Sequence, residues 1–228
     1  VLFISHFLVC FAHAKLPFSR LTYTNSTGMR FVRAPRGVFV MGNRNGYSRE
    51  KPERRVSINK EFWVGTNEVT LKQYLKIAKR FKTVRLPEYL DKNRDFRFYA
   101  NDWYMKNKNL LNEDAPVVGV SWEDAVAFCE AMSKVENEKY RLPSEKEWEY
   151  VCKAGSNDQV YGSIDEIGWS KQSSGQQLQR VGLLKPNRWG LYDLLGNVGE
   201  WCLDDRRSYG TGEIEIDGDW QALEDIPK

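Results

Sequence analysis

The hydrophobic period of the chain changes several times, and each change marks an element. Residues 30–41 alternate apolar and polar positions and break at Pro35-Arg36-Gly37, which predicts a hairpin. A polar loop follows over 42–52, after which Val56, Ile58, Phe62 and Val64 resume the strand pattern. At Thr70-Leu71-Lys72-Gln73 the period becomes helical. Thr-x-x-Gln is a capping box: the Thr hydroxyl accepts from the backbone N–H three residues on, and the Gln reaches back to the Thr N–H. Leu71, Tyr74, Ala78 and Phe81 then share one face. Ser121 opens a second helix, with Glu123 and Asp124 in the first turn, where the helix dipole favours acids. Its buried stripe is Ala125, Phe128, Cys129 and Met132. Ser144-Glu145-Lys146-Glu147 is another capping box, just after Pro143, and starts a short helix through Trp148 and Val151 that Gly155 ends.

Between these elements the pattern fades. Residues 83–113 hold Pro87, many charges and the aromatics Tyr89, Phe96, Phe98, Tyr99, Trp103 and Tyr104 without a sustained period. They read as a long insertion suited to contact with a partner. Residues 155–181 are dominated by Gly, Ser, Asn and Gln, and residues 213–228 carry six acids and one base with no obvious final strand. Two or three helices among many short strands and loops, with no internal repeat, indicate an α+β class.

Residues 1–14 are apolar, and Ala12-His13-Ala14 fits a small-x-small cleavage site. The segment reads as a partial signal peptide, without the Met and charged start, and implies export to a periplasm, the exterior or the lumen of a secretory pathway. The other reading of the run is a short buried strand. The lack of any turn residue or polar alternation before Lys15 favours the leader. No run is long enough to span a bilayer.

Composition narrows the chemistry. The 228 residues are 41% hydrophobic and 29% charged, the profile of a soluble globular chain of one large or two small domains. A net charge of +3 gives no strong pull toward nucleic acid or membrane. Basic residues cluster over 30–60 and 72–85, but Glu50, Glu53, Glu61 and Glu68 interleave with them, so a solvated face is expected. No aromatic–basic strand motif of a nucleic-acid module occurs, and no nucleic-acid partner is expected. The only histidines, His6 and His13, lie in the leader, so the mature chain has no imidazole for a Ser-His triad. Of Cys10, Cys129, Cys152 and Cys202, the first would leave with the leader, and the rest are an odd set without zinc spacing.

The strongest local signal for a ligand is residues 190–201. Asp193 and Glu200 bracket a loop containing Gly196, Asn197 and Gly199. Such a loop can turn backbone carbonyls inward beside two acids, and hard oxygen ligands of that kind suit Ca²⁺. Ordinary loop hydrogen bonds are the alternative role for both acids.

Several motifs in a fixed order carry a resemblance. They are Phe39-Val40-Met41-Gly42; Asn67-Glu68-Val69-Thr70 with Gln73-Tyr74; the run from Pro116-Val117-Val118-Gly119 through Ser121-Trp122-Glu123-Asp124-Ala125 to Phe128-Cys129; Tyr140-Arg141-Leu142-Pro143-Ser144-Glu145-Lys146-Glu147-Trp148; and Lys185-Pro186-Asn187-Arg188-Trp189-Gly190-Leu191-Tyr192-Asp193 leading into the loop. Together they resemble the formylglycine-generating-enzyme, or sulfatase-modifying factor, domain over residues 28–228, read as incomplete at its C-terminal end. The resemblance implies a C-type-lectin-like fold, loop-rich, with few short strands. It implies a structural Ca²⁺ held by the side chains of Asp193 and Glu200 and the backbone carbonyls of Gly196 and Val198. Gly199 departs from the family, which usually has Trp there. Cys129 and Cys152 match structural cysteines whose disulfide partners lie further along the family's chain. The resemblance also implies copper-dependent oxidation of a sulfatase cysteine to formylglycine, but the copper-binding cysteine pair and its Arg-Gly-Gly-Ser-Trp run do not occur here. No catalytic residue is therefore assigned. The expected function is that of an exported protein of this type acting on a protein or peptide. The alternative is a non-catalytic interaction module of the same fold in an envelope or secretion complex.

Overall fold

The computed structural model describes residues 5–6, 10–12, 21–91, 106–156 and 161–204, the first two stretches as strand backbone. The centre is a five-stranded sheet. Its strands are β2 (Cys10–Ala12), β3 (Thr22–Thr24), β4 (Arg30–Ala34), β7 (Phe62–Gly65) and β8 (Lys139–Arg141), in the order β3-β4-β7-β2-β8 with every described pairing antiparallel. β5 (Gly37–Met41) and β6 (Arg54–Ile58) form a separate hairpin. Two short parallel pairs complete the strands: β9 (Gly168–Trp169) with β10 (Leu195–Gly196), and β1 (Ser5–His6) with β11 (Gly199–Glu200).

The period of two along β4 and β7 divides the interior. Phe31 and Trp63 point to one face, where they meet α1 (Leu71–Ala78) and α2 (Trp122–Glu136) through Leu71, Tyr74, Phe128 and Met132. Val32, Phe62 and Val64 point to the other face, against Tyr150, Val151 and Cys152 of α3 (Glu145–Lys153) and against Leu191 and Leu194. The sheet is therefore covered on both faces. A smaller cluster of Ala115, Val118 and Leu178 lies beside it.

The three long helices start as their sequences dictate. Thr70 with Gln73, Ser121 with Asp124, and Ser144 with Glu147 all form reciprocal capping boxes. α2 ends on Asn137 and α3 on Ala154, both left-handed, with Gly155 following at φ +80°. A fourth short helix, α4 (Ile164–Ile167), falls in the stretch that composition alone assigns to loop, and makes four α-helices among the described residues against the expected two or three. Ile77 takes a place on the buried face of α1, while Ala78 and Phe81 are only partly buried.

The expected hairpin over 30–41 does not form. β4 stays in the central sheet, and β5 leaves it to pair with β6. The reason lies at Gly37, where a Cβ would sit 2.4 Å from the Tyr150 hydroxyl. The bare backbone there lets β5 turn onto α3. Lys153 then fixes it, donating to the Val40 carbonyl at 2.6 Å while pairing with Glu149 at 2.8 Å.

The run read as a leader supplies strand backbone. Cys10–Ala12 lies inside the central sheet and Ser5–His6 pairs with β11, as the buried-strand alternative has it. Of the insertion's aromatics, Tyr89 is half-buried against the helical core. Phe96, Phe98, Tyr99, Trp103 and Tyr104 lie outside the described residues, as does the acidic stretch 213–228. No helix among the described residues is long and apolar enough to cross a membrane.

Candidate metal centre

The loop over 190–201 is built outward from the end of α3. Asn187, buried, closes a turn: its backbone N–H donates to the Leu191 carbonyl at 2.8 Å, and the Gly190 N–H donates to the Asn187 carbonyl at 2.9 Å. Leu191 and Leu194 sink into the α3 core on either side of Asp193, so the acid is carried inward with them. The Tyr192 N–H donates to the Thr66 carbonyl at 2.9 Å and ties the loop to the end of β7. Asp193 is 1% exposed and left-handed at φ 57°, and its Oδ2 accepts the Gly182 N–H at 2.6 Å.

Gly196 follows at φ +95°, with a Cβ position only 2.1 Å from the Trp169 carbonyl oxygen. Only glycine lets β10 approach β9 this closely. Asn197, also left-handed, acts as a hub. Its Oδ1 accepts the Gln179 N–H at 3.0 Å, and its Nδ2 donates to the Gln179 carbonyl at 3.2 Å and to Glu68 Oε2 at 3.0 Å. Val198 packs against the small cluster, and its N–H donates to the Gly196 carbonyl at 2.6 Å. Glu200 accepts the indole N–H of Trp148 through Oε2.

The loop thus meets a residue that the sequence places on the surface. Glu68, expected among solvated acids, is 1% exposed, and the charges of Asp193 and Glu200 reach it. Burial pushes its carboxyl well above the ordinary range, the negative charges of Asp193 and Glu200 push it further, and the Asn197 hydrogen bond opposes them. One sequence signal was available. Glu68 follows the wholly buried β7 and sits next to Val69, itself fully buried, with no cation before Lys72.

Asp193 and Glu200 are both hard oxygen donors of the kind a divalent cation takes, and their charges reach Glu68. Among the described residues, no group of three or more His, Cys, Asp or Glu side chains is arranged to hold a metal ion. A cation here would also use backbone oxygens, for which the Gly196 and Val198 carbonyls are the expected donors.

The cysteines are placed otherwise. Cys129 lies in the α1/α2 core and Cys152 in the α3 core, both as free thiols. Burial pushes the Cys129 thiol far up. Burial, then Glu200 and Glu149, push Cys152 up to about 12, with Lys153 opposing. Cys202 is half-buried, and its carbonyl accepts the Trp122 indole N–H at 2.8 Å. The described cysteines are not gathered into a metal-binding pair.

Residues 19–221 match the sulfatase-modifying factor enzyme 1-like domain. The chain is 28% identical over 222 residues to the formylglycine-generating enzyme of Bos taurus, covering 77% of this chain and 58% of that protein. It is 27% identical over 225 residues to the inactive Cα-formylglycine-generating enzyme 2 of Mus musculus, covering 80% of this chain and 71% of the relative. Variable protein 1 of Treponema denticola superposes with a TM-score of 0.66 at 23% identity, over 86% of this chain and 81% of that one. The fold is shared with this structure, while the chain spans only 58% of the length of the bovine enzyme.

Proposed function

The chain belongs to the sulfatase-modifying factor enzyme 1-like family, and from that premise we propose that its described residues form a calcium-organised, polypeptide-recognising domain of an exported protein. The supporting observation is that buried Glu68 and Asp193 share their electrostatic surroundings with half-buried Glu200. Like charges held together away from water cost stability unless protons or a cation offset them. Asp193 and Glu200, with the Gly196 and Val198 carbonyls, would hold the ion, and Glu68 stands beside them. Bound there, a divalent cation supplies positive charge to the cluster. The residues order the loop through Asn197, Trp148 and the Gly182 amide.

A copper ion held by two cysteines does not fit the residues described. Cys129 and Cys152 sit in separate cores with their thiols held protonated by burial. The resemblance to the bovine enzyme nevertheless supports a protein or peptide as the partner, and its name supports cysteine oxidation as a second reading.

Thermal melting in chelator and in millimolar calcium tests the first reading. Calcium at 100 times its dissociation constant would add about 2.7 kcal/mol, a rise of roughly 5–10 °C for a chain of this size. Asp193→Asn with Glu200→Gln should abolish the rise, and an unchanged midpoint in the parent would overturn the metal assignment. Incubating the chain with copper(I), oxygen and a cysteine peptide tests the second: mass-spectrometric appearance of formylglycine would show that chemistry resides in this chain.

A further inference from the structure

We propose that the gap between β7 and β8 is a strand-accepting slot, open to an uncharged, proline-free segment of a separate polypeptide once Cys10–Ala12 leaves it. In this structure β2 fills the gap. Cys10 stands between Val64 and Arg141, Phe11 between Trp63 and Tyr140, and Ala12 beside Lys139. β2 is antiparallel to both neighbours, so β7 and β8 run in the same direction and the slot has a polarity. A strand enters it only when running against both.

The slot cannot simply close. β7 and β8 lie two strand spacings apart, about 9.5 Å. β7 is paired on its other edge with β4, and β8 packs against α2. Water cannot take the place of a strand either. All four residues of β7 are buried, and Trp63 and Tyr140 face the α1/α2 core while Val64 faces the α3 core. Emptying the slot would strand two rows of backbone N–H and C=O groups between two apolar layers. The occupant must therefore be apolar on both sides. Cys10, Phe11 and Ala12 of β2 have that composition, as expected of a strand covered on both faces.

The same residues carry the pattern of a cleavable leader. Cleavage after Ala14, on the export reading, would remove β2 and leave the slot for another strand. The slot itself rests on the sheet topology and not on that reading.

The test uses the full chain with a protease site inserted between Ala14 and Lys15, folded first and nicked afterwards. The 1–14 fragment should stay bound through gel filtration. A fluorescent peptide of residues 5–14, added in excess, should exchange in with saturable anisotropy. The same peptide with Phe11→Pro should bind at least roughly tenfold more weakly, because proline cannot donate to the ladder. In the intact chain Phe11→Pro should lower Tm by at least about 10 °C, with hydrogen-exchange protection lost at amides of β7 and β8. Release of the fragment with Tm and those amides unchanged, or equal binding of the proline peptide, would overturn the proposal. A calcium melt on the nicked sample reads the metal centre separately, so failure of one inference does not conceal failure of the other.

Discussion

Replacing Asn187 with Ala is expected to cost about 3–5 kcal/mol. Asn187 Nδ2 donates to the Val151 carbonyl at 2.7 Å and the Cys152 carbonyl at 3.3 Å, and its Oδ1 accepts the Trp189 and Leu191 amides at 3.0 and 3.2 Å. Val151 and Cys152 stand in the last turn of α3, where carbonyls have no helical partner of their own. The side chain is 4% exposed, so alanine leaves two carbonyls and two amides in a dry site. At about 1 kcal/mol net per bond, with an added penalty for groups that water cannot reach, the loss falls in the stated range. It corresponds to a fall in Tm of about 10 °C. Urea unfolding should show a lower midpoint with an unchanged slope, the mark of lost stability without a changed denatured state. Asn187→Asp is the control: it keeps shape and acceptor, loses the donor, and sets a negative charge against two carbonyls. It should be at least as damaging as alanine. An alanine variant within about 1 kcal/mol of the parent, or an aspartate variant clearly more stable than alanine, would refute this account.

Other expectations follow from the same structure. Glu68 has a raised pKa in the fold, so the metal-free native state holds its proton more tightly than the unfolded chain. Its contribution is then most favourable at acid pH and is lost as pH rises through the folded value; Glu68→Gln should flatten this fall in chelator, and an identical pH profile for both proteins would count against the buried acid cluster. Gly196→Ala would place a Cβ 2.1 Å from backbone at Trp169 in a left-handed conformation, so a loss of more than about 2 kcal/mol is expected, read by urea midpoint; a neutral result would mean that β9 and β10 do not meet this closely. Asn25-Ser26-Thr27 spells a glycosylation sequon, yet Asn25 is buried and its Oδ1 accepts from the Thr27 amide, the Thr27 hydroxyl and the Met29 amide. Folded protein from a eukaryotic secretory host should therefore show no mobility change on endoglycosidase treatment, and a folded product fully glycosylated at Asn25 would contradict the burial.

What could be read from sequence was local. The three capping boxes needed only side chains three residues apart, and all close as their spacing predicts. Asp193 and Glu200 could be singled out as candidate ligands because they bracket one short loop. Glu68 could not be, because its place beside the loop depends on the hydrogen bond from Asn197, 129 residues further along the chain, which no local period encodes. The hairpin over 30–41 failed for a similar reason. The alternation was correct for two strands, but the Tyr150 ring beyond Gly37 decides which sheet the second strand joins. An apolar run such as 7–12 satisfies both a leader and a doubly covered strand, and periodicity cannot separate the two.

The acid cluster is held by packing on both sides of it. Leu191 and Leu194 anchor one end of the loop in the α3 core, Val198 rests on the small cluster, and Trp201 packs against the α1/α2 core while its indole donates to the Val120 carbonyl at 3.1 Å. Full burial of Leu191 and Leu194 stabilises by roughly 1.5–3 kcal/mol each, enough in sum to offset a modest like-charge cost. The polar groups between the anchors have no freedom to separate, because Asn197 ties Glu68 to the Gln179 backbone and Trp148 holds Glu200. Were a cation held there as proposed, it would meet oxygens ordered by these contacts, and its binding energy would appear as added stability of the loop and not as a change of fold.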